Sequence, residues 1–166
     1  MIFLINFLDF QLDLGAPEKA IFNQVTDLWT VGKSQPNECD SLFSLWRKKG
    51  YLSNELIWKR ITLAAQGGTQ SLLPYLKTLL PKNERYLADL YLKVRRDPSA
   101  AAGLYRYKTK SAKEAQIAIY GVKRLIWRDK ALALRAWQKL EKMFKDCLSF
   151  SLSFPNIFNF LNSHLP

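Results

Sequence analysis

Hydrophobic positions recur every three or four residues through the middle of this chain, from about residue 17 to residue 144. In the first such segment Ile21, Val25, Leu28 and Trp29 fall on one face of a helix, with polar residues between them. The same spacing returns in later segments, which are separated by short stretches containing Gly, Pro, Asn or Ser. We therefore predict eight helices, at about residues 17–31, 38–49, 53–66, 71–80, 83–96, 98–107, 111–127 and 129–144.

Residues with known preferences for helix ends support these boundaries. The predicted N-terminal caps are Ser53, Ser71, Asn83, Asp129 and the capping box of Ser111 with Glu114. Gly32 is expected to end the first helix, because glycine is favoured just after a helix C-terminus. Gly121 falls inside the seventh helix, where it costs about 1 kcal/mol relative to Ala. We expect a neighbouring helix to pass close to it.

The connections between these helices are short, about two to six residues, which favours antiparallel neighbours. The helix pairs recur with weak self-similarity, as is typical of a helical solenoid. The predicted fold class is therefore all-α, a superhelical solenoid of antiparallel helix pairs. Residues 15–144 form its body, flanked by an atypical apolar segment at 1–14 and an unusual tail at 145–166.

The two flanking segments differ from the body in composition. Residues 1–14 begin with an apolar run but have no early Lys or Arg and no small-residue cleavage site, so no signal peptide is recognised. A buried helical or strand-like segment and a non-native start both remain open. Residues 147–166 contain no Lys, Arg, Asp or Glu, and eight of the ten Phe fall in residues 1–10 or 144–160. We interpret the tail as foreign to the fold, with a shifted reading frame as a hypothesis. We predict no membrane-spanning helix in either segment.

The formal net charge of +11 suggests an anionic partner. The basic residues are spread along the chain, however, which is typical of solvated helix faces. No nucleic-acid-binding motif or basic aromatic platform accompanies them, so we predict no nucleic-acid partner.

Residues with the chemistry of a catalytic or metal site are few. Cys39, Cys147 and His164 have no ligand spacing, so no metal or cofactor is predicted. The sequence Gly-Lys-Ser at 32–34 does not form a phosphate loop, because Asp27 stands where that loop requires Gly. The six glutamates fall at helix starts or on charged faces, and no catalytic residue is assigned.

One stretch carries a family resemblance. The residues concerned are Leu28, Trp29, Gly32, Lys33, Ser34, Gln35, Pro36, Asn37, Cys39, Asp40, Leu42, Phe43, Ser44 and Trp46. This run closely resembles the non-catalytic helical part of the bacterial soluble lytic murein transglycosylases. Residues 114–127 and 139–144 are similar more loosely, so the resemblance covers about residues 15–144. It implies structural roles for Gly32, Lys33, Ser34, Pro36, Asn37, Cys39, Asp40, Phe43 and Trp46.

The resemblance implies one arc of a U-shaped superhelical domain from a periplasmic protein several times longer than this chain. In that family a separate C-terminal domain cleaves peptidoglycan and leaves a 1,6-anhydro end. Its Glu-Ser, Gly-Leu-Met-Gln and Ala-Tyr-Asn-Ala-Gly motifs do not occur here. The family cysteine at the position of Cys39 pairs with one on a preceding helix that this sequence does not include, so Cys39 is expected to be unpaired.

These observations predict a non-catalytic segment of a cell-wall turnover protein, inactive alone, with peptidoglycan glycan strands as its partner. An independent helical-repeat module that binds a protein through exposed solenoid faces is the alternative. The resemblance implies a periplasmic location, whereas the absence of a recognisable signal implies the cytoplasm if the chain is made as it stands.

Overall fold

The computed structural model describes residues 2–148. In that range the regular secondary structure is helical, with no strand. The α-helices are α1 (Ile2–Asp13), α2 (Glu18–Trp29), α3 (Asp40–Lys48), α4 (Asn54–Gln66), α5 (Leu73–Leu79), α6 (Arg85–Arg96), α7 (Ala112–Leu125), α8 (Lys130–Met143) and α9 (Lys145–Leu148). The all-α prediction is confirmed. The predicted tail lies largely outside the described residues, and the proposed division at residues 14 and 144 stays a prediction.

The predicted sixth helix is wrong in type. Residues 98–107 form two short 3-10 segments, Pro98–Ala102 and Leu104–Arg106, instead of an α-helix. Gly103 separates the two segments, and the side chain of Asp97 accepts a hydrogen bond from the Ser99 backbone. A run this short and interrupted by Gly favours the tighter turns that commonly connect helices.

The described part of the chain divides into two compact units, with the boundary between Arg85 and Tyr86. In the first unit α1 packs on α2, α2 on α3, and α4 on α5. Its core is rich in aromatic residues, and the largest fully buried side chains are Phe22, Trp29, Leu42, Trp46, Ile61, Leu73, Leu76, Leu80 and Leu8. Burying one such side chain stabilises a fold by roughly 1.5–3 kcal/mol, so each of these residues contributes to the stability of this unit.

The apolar N-terminal segment is a helix, which decides between the two conformations left open by its sequence. Ile5 and Leu8 are buried, and α1 contacts both α2 and the 3-10 turn Asn37–Cys39. Phe3, Phe7 and Phe10 are exposed. This segment therefore packs against the first helices of the body through one face only.

In the second unit α7 packs on α8 and on the 3-10 segment Pro98–Ala102. A Cβ atom built on Gly121 would collide with the side chains of Ala101 and Val94. The expectation of a close approach at Gly121 is confirmed, although one of the neighbours belongs to a 3-10 segment rather than to a full helix.

The predicted helix caps have mixed outcomes. Ser53, Asp129 and the capping box of Ser111 with Glu114 are confirmed, since each capping side chain accepts a hydrogen bond from a backbone N–H in the first turn. Ser71 and Asn83 are not the N-caps of the α-helices that follow, because each lies within a 3-10 turn. A 3-10 turn satisfies local backbone groups before the α-helix begins, so no side-chain cap is needed there.

Glu114 is more buried than its position in the sequence suggested. It is expected at a helix start, where it does lie, but its side chain is fully buried. The carboxylate accepts hydrogen bonds from the backbone of Lys108, Thr109 and Ser111 and from the hydroxyls of Thr109 and Tyr86. It therefore ties the loop before α7 to the start of α6.

Candidate functional site

The residues that carry the family resemblance lie together at the end of α2, in the turn at residues 30–36, and along α3. Trp29 and Trp46 form a tilted aromatic pair, with ring centroids 5.5 Å apart and ring planes at 35°. The indole N–H of Trp46 donates to the Thr26 hydroxyl at 3.0 Å, and that hydroxyl donates to the Phe22 carbonyl at 2.8 Å. Apolar positions on α2 and α3 thus pack their aromatic rings against each other.

The turn at residues 30–36 is held by hydrogen bonds to its backbone and to the helix end before it. The guanidinium of Arg60 donates to the Lys33 carbonyl at 3.2 Å, and the amide of Gln35 donates to the Leu28 carbonyl at 2.8 Å. The backbone N–H of Thr69 donates to the Gly32 carbonyl at 2.8 Å. The turn is therefore a fixed structural feature.

Gly32 has a different role from the one predicted. Helix α2 ends at Trp29, three residues earlier, so Gly32 is not its C-cap. A Cβ atom on Gly32 would lie 2.7 Å from the Leu63 carbonyl oxygen, and one on Gly68 would collide with the Gly32 backbone. Only residues without a side chain allow this approach of two backbone segments. The requirement for Gly at position 32 is steric.

A cleft of about 260 Å³ opens beside this turn. It lies within the first unit, and its lining combines aromatic rings, two guanidinium groups and a carboxylate. The lining residues are Trp29, Ser34, Gln35, Asp40, Phe43, Arg47, Arg60, Leu72 and Tyr75.

Arg60 is the buried cation of this cleft. It is only 4% exposed, although it projects from α4 within a stripe of apolar residues. Its guanidinium lies 4.5 Å from the centre of the Trp29 ring, a cation–π contact. The Nε atom is buried without a hydrogen-bond partner among the described residues. Burial lowers the pKa of Arg60, and the nearby charge of Arg47 lowers it further.

Arg47 supplies the second cation, from the last turn of α3. Its Nε donates to the Phe43 carbonyl at 3.2 Å, and a terminal nitrogen donates to the Tyr75 hydroxyl at 3.0 Å. Asp40 lines the same cleft and is exposed. Within residues 2–148, no salt bridge joins Asp40 to either arginine. The two arginines and one carboxylate leave a formal charge of +1 in the cleft.

The predicted motif residues are divided between the cleft and its support. Ser34, Asp40 and Phe43 line the cleft, whereas Gly32 and Lys33 line a separate open depression. The remaining motif residues support α3: Cys39 and Trp46 are buried, and Pro36 and Asn37 begin the 3-10 turn that precedes the helix.

Four cleft residues lie outside the run that carries the family resemblance: Arg47, Arg60, Leu72 and Tyr75. Arg47 was explained as an ordinary cation at a helix end. Arg60 gave a usable signal, because a charged residue occupied a position in an apolar stripe. Such a residue is rarely buried without a specific environment.

The cysteines and acidic residues add no further chemistry. Cys39 and Cys147 form no disulfide among the described residues, and the expectation that Cys39 is unpaired stays a prediction. Burial raises the pKa of the Cys39 thiol. Across the described part of the chain, no group of three or more His, Cys, Asp or Glu side chains is placed to hold a metal ion. No helix between residues 2 and 148 has both the length and the apolar character to cross a membrane.

Comparison with known proteins gives one consistent result. The chain is 36% identical over 81 residues to the soluble lytic murein transglycosylase of Salmonella typhimurium, and 34% identical over 85 residues to that of Escherichia coli K12. These alignments cover 49% and 51% of this chain and 13% of each relative. No protein-family model matches the sequence.

The solved structures extend the likeness to most of the chain. An inactive mutant of the lytic transglycosylase Slt from Pseudomonas aeruginosa matches with a TM-score of 0.72 and 31% identity, covering 82% of this chain and 22% of that one. The chain is a partial match to the soluble lytic murein transglycosylases. The 70-kDa enzyme of Escherichia coli matches with a TM-score of 0.66 at 24% identity over 85% of this chain, a likeness of fold alone.

The partial match confirms the suspected resemblance and the superhelical all-α fold class. The chain spans 13% of the length of the curated relatives and less than a quarter of the structural ones. The region to which it is similar is therefore only part of each lytic transglycosylase, and an independent helical-repeat module is not favoured.

Proposed function

We propose that this chain is a non-catalytic helical scaffold segment of a peptidoglycan-cleaving protein involved in cell-wall turnover. The observation that carries the proposal is the structural match over 82% of the chain to lytic transglycosylase Slt. The proposed role is to contact glycan strands and support cleavage performed elsewhere in a longer protein. The structural roles proposed for the motif residues at 32–46 follow from this scaffold function.

The environment of the buried glutamate supports a non-catalytic role for this chain. Glycan cleavage by this family requires a glutamic acid held in a substrate cleft as a general acid. The buried glutamate of the described residues, Glu114, is instead enclosed by backbone N–H and hydroxyl groups. The periplasm is the location proposed for this function, and peptidoglycan is the proposed partner.

Incubation of the purified 166-residue chain with insoluble peptidoglycan sacculi tests the proposal. Sedimentation measures binding, and chromatography of the supernatant measures release of 1,6-anhydro-muropeptides. We expect binding without release. Release of anhydro products would contradict the non-catalytic assignment, and absence of the protein from the pellet would contradict the glycan contact.

A further inference from the structure

The cleft beside the turn at residues 30–36 has an electrostatic arrangement that the scaffold role does not require. Arg47 and Arg60 line one cavity, and the charge of Arg47 acts on the buried Arg60. Two like charges are more stable when an anion lies between or beside them, and the gain is larger where one of them is desolvated. Arg60 is that desolvated group.

The remaining lining indicates what kind of anion fits. Trp29, Phe43 and Tyr75 provide aromatic surface, and Ser34 and Gln35 provide short polar groups. Guanidinium groups match carboxylates in geometry and bind them through two parallel hydrogen bonds. Aromatic rings with a few placed polar groups suit the body of a small organic ligand. The lining therefore suits a carboxylate attached to a body that can lie on an aromatic ring.

Asp40 acts against this attraction and limits which anions fit. Its carboxylate lines the same cleft and is exposed to solvent. A highly charged polyanion would bring several charges near Asp40, whereas a ligand with a single carboxylate can contact the arginines alone. The cleft is thus better suited to one carboxylate than to a polyphosphate.

We propose that the cleft formed by Arg47, Arg60, Trp29 and Tyr75 binds a carboxylate carried by the sugar or the stem peptide of peptidoglycan. The choice of peptidoglycan as the source rests on the proposed function, whereas the carboxylate itself follows from the cleft. Arg47 contacts the carboxylate directly. Arg60, which is almost fully buried, contributes its charge and fixes the ring of Trp29 and the turn at Lys33.

Two sugars that differ by one carboxylate provide the test. N-acetylmuramic acid is N-acetylglucosamine with a lactyl ether that carries a free carboxylate. Titration of each into the 15N-labelled 166-residue chain, followed by NMR, compares their affinities directly. A third probe, N-acetylmuramoyl-L-alanyl-D-glutamate, has its lactyl carboxyl bonded to the peptide and carries carboxylates on glutamate. It distinguishes a sugar carboxylate from a peptide carboxylate.

We expect at least one of the two carboxylate probes to bind about tenfold or more tightly than N-acetylglucosamine, because a charge-assisted hydrogen bond contributes that much or more to affinity. The signals that shift should include the indole N–H of Trp29. Equal binding of all three probes, or no binding of either carboxylate probe, would overturn the proposal.

Variants on one helix separate the cleft from general attraction to a basic protein. Arg47→Gln should weaken binding of the carboxylate probe about tenfold. Lys48→Gln removes the same charge from the adjacent exposed position outside the cleft and should leave binding within about twofold. Equal losses in the two variants would show that the attraction is nonspecific and would refute the site.

The buried arginine needs a separate check, because its replacement can unfold the chain. Arg60→Lys keeps the charge but loses the planar group on Trp29, and is expected to fold with weakened binding. The sacculus assay distinguishes the two proposals. If wild-type protein binds sacculi but neither carboxylate probe, only the cleft proposal fails. If it binds a carboxylate probe but not sacculi, only the glycan-scaffold proposal fails.

Discussion

The buried carboxylate of Glu114 provides a quantitative test of what holds the second unit together. Replacing it by Ala removes the acceptor for three backbone N–H groups and two hydroxyls. A hydrogen bond to a charged group contributes about 1.5–3 kcal/mol, and an unsatisfied buried donor costs about 1–3 kcal/mol. Lys108 and Thr109 are exposed, so water can replace part of what they lose. We expect Glu114→Ala to lower the free energy of unfolding by about 3 kcal/mol.

Glu114→Gln makes the test sharper, because it preserves the volume of the side chain. Oε1 accepts from the Lys108 backbone at 2.6 Å, and Oε2 accepts from the Thr109 and Ser111 backbones at 3.1 and 3.3 Å. Whichever way the amide is oriented, its NH₂ group therefore faces a backbone N–H. We expect a loss of about 2 kcal/mol despite the conserved shape.

Chemical denaturation followed by far-UV circular dichroism measures these changes. Glu141→Ala is the matched control, since Glu141 lies on α8 and is exposed. It should change stability by less than about 0.5 kcal/mol. If Glu114→Ala were no more destabilising than this control, the hydrogen-bond argument would be refuted.

Three further predictions follow from individual contacts. Gly121→Ala should destabilise by about 1–3 kcal/mol through overpacking, whereas Gly67→Ala meets open space and should have little effect, as thermal melting would show. Cys39, buried and with a raised pKa, should react with a thiol reagent at neutral pH far more slowly than Cys147; equal rates in the two single-cysteine variants would contradict this. Burial raises the pKa of Tyr107 well above its ordinary value near 10, so its neutral form is favoured in the folded state. Stability should therefore fall as the pH rises above about 10; this fall should be smaller in Tyr107→Phe, and an identical pH profile would argue against it.

The local features of the fold were predictable from the sequence, because they depend on residues a few positions apart. The cap at Ser53 and the capping box at Ser111 satisfy backbone groups within one helical turn. The stripe containing Val25 and Trp29 also follows from helical spacing alone, and both residues are buried. The error at residues 98–107 arose because Ala-rich sequence favours an α-helix locally, whereas the interrupted segment forms 3-10 turns.

The cleft could be predicted only in part, because its cations depend on partners far along the chain. The Lys33 carbonyl that accepts from Arg60 is 27 positions away, and the Tyr75 hydroxyl that accepts from Arg47 is 28 positions away. No periodicity encodes such pairs. The burial of Glu114 was missed for this reason only in part, since Tyr86 lies 28 positions before it but its other hydrogen-bond donors lie three to six positions away. Family resemblance identified the turn, but not the arginines that meet beside it.

The hydrogen bonds that fix the turn at residues 30–36 also constrain the order in which this part of the chain can fold. The Gly32 carbonyl accepts its hydrogen bond from the backbone amide of Thr69, and the Lys33 carbonyl accepts from the side chain of Arg60. Neither bond can form before these later residues are in place. Helices α2 and α3 can therefore pair early, but their connection becomes rigid only after α4 has docked. We expect the pairs α2–α3 and α4–α5 to unfold as a single cooperative unit. In hydrogen exchange, the protection of the Thr69 amide reports on both pairs together.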